Sequence, residues 1–356
     1  MLLDSVAYSI PHMLLSSTTK SDDSGVYIGI DVLFGRKIYW DAKRSPRHHI
    51  LIVGPTGSGK TIALTAITTR LAKLNNATLA IFDVKGEYPS LMKFFTNKNA
   101  FIWDVTQMPI PICSCGEPQE DVIYNIRLFI NTLNLLYKLP TYMRDQVHEQ
   151  LVRLCRYCHE STLDNALRGY LVEEPEAIHT ALNIFSTGSE SSVATHLLHQ
   201  KNTVIDLSRL FLLDPKATAV ATLYILKRML KTLGGLNTSS IAKVVLLDEL
   251  WYVAQSAIED LVNMLIRYGR GYGISLAMAT QSIDDLNPYT DTIVESCGAV
   301  IALSSPSRSY WLRLAKHLNL GKRGIENAVK FVEQGIAVAK LYPHEKPLYV
   351  YIDPLD

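Results

Sequence analysis

The sequence predicts an α/β protein with a mostly parallel sheet covered by helices, and three features of its 356 residues carry that expectation. Short apolar runs alternate with helical stretches from Ile50 onward. One run leads into a glycine-rich turn at Gly54–Thr61, and another ends on the acidic pair Asp248-Glu249. Runs that are apolar throughout, rather than at every second position, belong to strands buried on both faces, as in a parallel sheet between helices.

Composition sets the outer limits. Lys plus Arg is 35 and Asp plus Glu is 34, a net charge of +1, so the chain is neither a polybasic coat nor an acidic tail, and any nucleic-acid surface is local. Charged residues are 19% and apolar residues 48%, which leaves apolar surface for copies of the chain or a partner to cover. No apolar stretch reaches the ~18–20 residues that span a bilayer, and Asp4 stands where a signal peptide is basic. The expected location is the cytoplasm, with a peripheral place on the cytoplasmic side of the membrane as the alternative. Five cysteines are too few for a secreted disulfide scaffold, so a reducing compartment is expected.

In chain order, residues 1–48 read as a lead-in followed by a short β segment, Val26 to Trp40, turning at Gly35-Arg36-Lys37. The main domain is expected over 49–112 and 186–356. Its strands are Ile50–Val53, 77–83, 99–105, 202–208, 243–249, 274–281 and 299–303, with helices over Ile62–Leu74, Pro215–Leu233 and Ala257–Tyr268. A closing hairpin pairs Gly335–Leu341 with Pro347–Ile352. Between 113 and 185 apolar residues recur at three- and four-residue spacing, broken at Pro140-Thr141 and Glu174-Pro175, which predicts an all-α insertion.

Gly54-Pro55-Thr56-Gly57-Ser58-Gly59-Lys60-Thr61 fits the phosphate-loop pattern, the Walker A motif, in the strand–turn–helix setting it requires. Glycines let the backbone wrap a phosphate and N–H groups at the helix start cradle it. Lys60 reaches the β/γ-phosphates, and the Thr61 hydroxyl ligates Mg2+. The buried strand Val244–Leu247 delivers the second requirement, a Walker B pair in which Asp248 holds the Mg2+ shell and Glu249 polarises the attacking water. Gln281, at the tip of 274–281, is placed to touch the γ-phosphate or that water. Asp83 ends another strand at the ligand-binding edge, and a turn-forming role suits it equally. No Asn-Lys-x-Asp string is present, which argues for ATP over GTP. Only one RecA-like lobe fits the length, so a neighbouring subunit is expected to complete the site.

Together these residues resemble the HerA/FtsK superfamily of ring-forming DNA-pumping ATPases, especially the HerA and VirB4/TraG branches. The resemblance covers Tyr27 to Pro354. It rests on His49–Thr61, Asp83-Val84-Lys85-Gly86-Glu87-Tyr88, Val204–Ser208, Leu247-Asp248-Glu249, and Arg267–Gly273 followed by Ala279-Thr280-Gln281. It implies a RecA-like P-loop NTPase that binds ATP and Mg2+, a homo-hexamer with nucleotide at subunit interfaces, and DNA in a central channel. A membrane channel complex is a further implied partner. Asp83 and Glu87 become site-lining carboxylates, and Arg270 becomes the trans-acting arginine with Arg267 as its alternative. The segment before the phosphate loop is too short for the β-barrel that HerA-like proteins carry there, so a motor fragment or a minimal member is expected.

Two function classes remain open at this point. One is an ATPase that translocates DNA. The other is a VirB4-like ATPase that energises assembly of a membrane pilus or secretion channel through protein partners. Cys113, Cys115, Cys155 and Cys158 are zinc ligands, a disulfide or structural thiols. Basic groups at Lys43-Arg44-Arg47-His48, Lys227-Arg228-Lys231 and Arg308-Arg313-Lys316-Lys322-Arg323 are DNA contacts or solvated faces.

Overall fold

The computed structural model describes residues 25–42, 45–96, 100–170, 176–188, 201–234, 241–268, 273–331, 333–344 and 346–354. The lead-in 1–24, Lys43, Arg44 and Arg270 lie outside the described residues. In chain order the strands are β1 (Val26–Asp31), β2 (Lys37–Trp40), β3 (His49–Val53), β4 (Thr78–Asp83), β5 (Phe101–Asp104), β6 (Ile110–Pro111), β7 (Ser161–Thr162), β8 (Phe185–Thr187), β9 (Thr203–Asp206), β10 (Lys243–Leu247), β11 (Ile274–Thr280), β12 (Cys297–Leu303), β13 (Ile336–Leu341) and β14 (Leu348–Tyr351). The helices used below are α1 (Lys60–Asn75), α2 (Tyr88–Thr96), α3 (Gln119–Tyr137), α4 (Thr141–Arg156), α5 (Leu163–Leu167), α6 (Glu176–Asn183), α7 (Ser208–Leu213), α8 (Pro215–Gly234) and α9 (Trp251–Tyr268).

One sheet carries most of the strands, in the order β2-β1-β14-β13-β12-β3-β11-β10-β4-β9-β5. From β12 to β5 every neighbour is parallel. From β12 outward through β13, β14, β1 and β2 every pairing is antiparallel. The chain thus uses its closing hairpin to join its opening hairpin to the sheet, a pairing the sequence pattern did not signal. Gly29 fits there because a Cβ would stand 2.1 Å from the Tyr351 carbonyl oxygen.

Each central strand divides its side chains between two cores, as the two-residue period dictates. Ile50, Ile52, Ile81, Leu246 and Ala279 pack with Leu64, Ile67 and Leu71 of α1. Leu51, Val53, Phe82, Leu247 and Met278 pack on the other face with Leu223 and Tyr224 of α8 and Leu261 of α9. That second core runs without a break into the insertion. Phe129 of α3 and Phe185 lie 4.8 Å apart, and Tyr224 meets Phe185 edge-on at 5.3 Å.

The insertion is mostly helical, as expected, but not wholly so: β6, β8 and β7 form a second small sheet in that order. These strands of two or three residues are too short to impose a periodicity on the sequence. Cys113 and Cys155 form a disulfide, while Cys115 and Cys158 are exposed and outside it. Among the described residues no group of three or more His, Cys, Asp or Glu side chains could hold a metal, and two of the four cysteines are bonded to each other, so the four are not a zinc site. Basic residues of α8 secure the insertion. Lys231 meets Asp121 at 2.6 Å, and Arg228 reaches the Pro111 carbonyl at 2.5 Å and Glu117 at 3.6 Å. Lys227 pairs with Asp260 in a partly buried contact, and Arg313 with Asp284 and Lys316 with Asp291 at the surface, so each of these cations faces a carboxylate of the same chain. No helix among the described residues is long and apolar enough to cross a membrane.

Candidate active site

Strand order assembles the site. β3, β11, β10 and β4 are neighbours, so the phosphate loop, Gln281, Asp248-Glu249 and the turn after Asp83 stand side by side along one carboxyl edge, where open α/β sheets bind ligands. The loop Gly54–Thr61 joins β3 to α1. Gly57 and Gly59 hold φ of +79° and +92°, conformations that a side chain would strain, and a Cβ on Gly54 would stand 2.6 Å from Ser58 Oγ. The Ser58 hydroxyl donates to the Pro55 carbonyl at 2.7 Å, and Lys60 Nζ donates to the same oxygen at 3.1 Å. Behind the loop, the buried Tyr310 hydroxyl lies 3.0 Å from the Val53 carbonyl and 3.2 Å from that of Leu303, which pins the strand ends.

Asp248 and Glu249 leave β10 directly opposite. Asp248 Oδ2 accepts the Thr61 hydroxyl at 2.8 Å and the Tyr88 hydroxyl at 3.4 Å, while Oδ1 accepts the Glu249 N–H at 3.0 Å. A hydroxyl and a carboxylate oxygen side by side form a hard-oxygen pair of the kind Mg2+ takes, so the residues present fit that ion. Glu249 has φ of +60°, the left-handed region that a non-glycine residue enters rarely, at turns, helix caps and active sites. Its Oε1 meets Lys85 Nζ at 2.6 Å, and its Oε2 accepts Trp251 Nε1 at 3.1 Å and Gln281 Nε2 at 3.2 Å. Gln281 Oε1 in turn accepts the Thr56 hydroxyl at 3.3 Å, closing a ring of contacts from phosphate loop to carboxylate.

The charges respond to one another. Burial works to raise the pKa of Glu249, but the hydrogen bond and charge of Lys85, with Gln281 and Lys60 behind them, hold it below the ordinary carboxylate value. Burial lowers that of Lys60; Glu249 and Asp248 oppose the shift and Lys85 adds to it. Burial likewise opposes the charge of Lys85, yet Asp248 and Glu249 hold its ammonium above the ordinary lysine value.

Of the remaining expected site residues, Asp83 is buried and its carboxylate is occupied by backbone. Oδ1 accepts the N–H groups of Lys85 at 3.0 Å and Gly86 at 2.8 Å, and Oδ2 accepts that of Tyr88 at 3.0 Å. Burial pushes its pKa up against those three donors. It takes the turn-forming role rather than lining the site. Glu87 is exposed on the same turn, and its charge acts on Lys85. Arg267 lies in the last turn of α9 with its side chain outside the described residues, as all of Arg270 is. Lys85, Tyr88 and Trp251 join the site without a signal along the chain. Lys85 and Tyr88 lie in the string that carries the resemblance, but their place beside Asp248 and Glu249 follows from β4 lying next to β10.

A family model described as the central domain of the helicase HerA matches residues 34–229, more than half of the chain. The DNA import protein CedB of Sulfolobus acidocaldarius is 24% identical over 371 residues; the match takes in 97% of this chain and 60% of CedB, so the chain spans less than two thirds of that relative. Among solved structures, VirB4 of Thermoanaerobacter pseudethanolicus matches with a TM-score of 0.70 at 15% identity, over 93% of this chain and 97% of that one. The plasmid coupling protein TrwB, in complex with the GTP analogue GDPNP, matches with a TM-score of 0.61 at 15% identity, over 90% and 88%. TrwB has also been solved with an ATP analogue and with ADP and Mg2+. At these identities the two structures establish a common fold.

Proposed function

Because the chain belongs to the family of the HerA helicase central domain, we propose that it is an ATP-hydrolysing motor that translocates DNA as a homo-hexamer, with nucleotide bound between neighbouring subunits. The observation that carries this reading is the convergence of Lys60, Thr61, Asp248, Glu249 and Gln281 on one edge of the sheet. A pure nucleotide-binding scaffold has no use for a strained, buried glutamate tied to both the phosphate loop and the next strand tip.

In this reading the loop backbone and Lys60 hold the β- and γ-phosphates. Thr61 and Asp248 hold Mg2+, which supplies charge neutralisation on the phosphate oxygens. Glu249 orients the attacking water and accepts its proton, and the Gln281 amide fixes the direction of that carboxylate. CedB is a DNA import protein and TrwB a plasmid coupling protein, which favours DNA as the cargo here. A cytoplasmic location, docked at the membrane through a channel complex, suits that role.

Hydrolysis by the purified oligomer, measured with ATP and GTP and with and without DNA, tests the proposal. Turnover of ATP that rises on adding DNA, and falls again as salt releases the DNA, is the expected result. Turnover indifferent to DNA but raised by a membrane-channel subunit would hand the function to the VirB4-like assembly ATPase. Absence of hydrolysis under every condition would remove the enzymatic reading altogether.

A further inference from the structure

Glu249 is placed to act on water, yet both of its oxygens are engaged. Oε1 meets the Lys85 ammonium at 2.6 Å, and Oε2 accepts two N–H donors, from Trp251 and Gln281. A carboxylate stabilised in this way is a poor proton acceptor, and the Lys85 ammonium competes with water for its Oε1.

The three donors are not equivalent. Trp251 and Gln281 are neutral, and Trp251 is fixed by its surroundings. The Trp251 ring packs edge-on against Phe211 at 5.8 Å and Tyr252 at 6.5 Å, and Gln281 is held by Thr56. Lys85 is anchored through its backbone, on the Asp83 carboxylate, and is followed by Gly86 at φ of +74°. Its side chain is 35% exposed and ends a flexible four-carbon stem, so its ammonium, the charged donor of the three, can leave without disturbing the core. It also lies 3.9 Å from Asp248 Oδ2, which itself accepts the Thr61 hydroxyl, so it borders the phosphate cradle.

We propose that Lys85 reads the terminal phosphate: without a γ-phosphate its ammonium clamps Glu249, and with one it moves to the phosphate oxygens and leaves Oε1 to the attacking water. This rests on the hydrolytic reading of Lys60 and Glu249 and adds a nucleotide-dependent release of the base. A terminal phosphate carries more negative charge than one carboxylate and presents several acceptor oxygens, so it competes successfully for a lysine already at the rim. ADP offers no such group, and the clamp closes again after phosphate leaves. Asp83 thereby acquires a purpose its buried position otherwise lacks, since its carboxylate fixes the turn from which Lys85 swings.

The test is equilibrium binding of a non-hydrolysable ATP analogue and of ADP, each with Mg2+, to the full chain and to Lys85→Met, Lys85→Arg, Glu249→Gln and the Lys85→Met/Glu249→Gln pair. Lys85→Met is expected to weaken the analogue by about tenfold or more, the size of one charge-assisted hydrogen bond, while ADP changes by less than about twofold. Lys85→Arg recovers part of the loss. In the Glu249→Gln background the loss from Lys85→Met is larger, because the lysine no longer has to leave a carboxylate. Equal weakening of both nucleotides, or unchanged discrimination between them, overturns the proposal and leaves Lys85 a structural partner of Glu249. Wild-type chain that binds neither nucleotide overturns the phosphate-loop reading along with it.

Discussion

Single residues show where the fold accepts a cost and where it draws function from one. Glu249 sits in the left-handed region and is 5% exposed as a residue, and the neighbours that hold its carboxylate all donate hydrogen bonds to an anion. Glu249→Gln keeps the shape and both contacts to Oε2 but removes the proton acceptor, so nucleotide binding is expected to survive while turnover falls by roughly 10²-fold or more. Steady-state hydrolysis measured beside nucleotide affinity checks this; near-normal turnover would show that another group takes the proton. Lys243 is a cost without an evident return. It is fully buried at the start of β10, at the opposite edge of the sheet from the nucleotide site, and among the described residues its Nζ has no hydrogen-bond partner. Burial brings its pKa down from 10.5 to about 8. The unfolded chain therefore binds this proton more tightly than the folded one between those two values. The penalty is present in full below the folded pKa, and stability recovers as pH rises through that window. Lys243→Met, nearly equal in volume, is expected to be more stable than wild type by about 2–3 kcal/mol at pH 7, with the gap closing towards pH 10. Urea midpoints of both proteins at pH 7 and 9.5 measure it, and a gap independent of pH would mean that the proton is not involved.

At the scale of elements, the parallel strands and the helices between them are legible because burial on both faces leaves continuous runs such as Val244–Leu247, and because a phosphate-loop turn lies between a strand and a helix. Which strands become neighbours is not legible in this way. The opening hairpin β1–β2 pairs with β14 through backbone hydrogen bonds that no side-chain period records, and Lys85 meets Glu249 only because β4 lies beside β10. The cysteines illustrate the same limit. Their spacing admits zinc, a disulfide or inert packing, and only the end of α4 lying against the segment after β6 selects Cys113 with Cys155. That bond closes a 42-residue separation across the insertion, and on loop entropy it contributes about 4 kcal/mol. Cys155→Ala, or a reductant added to the wild type, is expected to lower the stability of the folded chain by about 2–4 kcal/mol in denaturant titration, whereas Cys115→Ser and Cys158→Ser leave it unchanged. If reductant had no effect on the midpoint, the insertion would owe nothing to the cross-link.

At the scale of the whole molecule, one lobe supplies too little positive charge for the reaction assigned to it. The cations bordering the phosphate cradle, Lys60 and Lys85, face Asp248 and Glu249, so two carboxylates already offset them before any phosphate arrives. Charge developing on the transferred phosphoryl group needs a further cation, and an arginine supplied in trans contributes on the order of 10³-fold or more in related reactions. Arg270 remains the proposed donor, with Arg267 as its alternative: a glycine on either side lets its long side chain cross an interface without blocking it. A ring, with six as the expected number, places the arginine of one subunit against the phosphate loop of the next. Mixing two inactive variants separates this from action within one chain. Arg270→Ala subunits keep an intact phosphate loop, and Lys60→Ala subunits keep the arginine. Mixed rings therefore contain interfaces with both parts sound, and ATP hydrolysis is expected to reappear in proportion to those interfaces. Lack of recovery despite demonstrated subunit exchange would count against a trans-acting arginine, and full activity of Arg270→Ala by itself would transfer the role to Arg267.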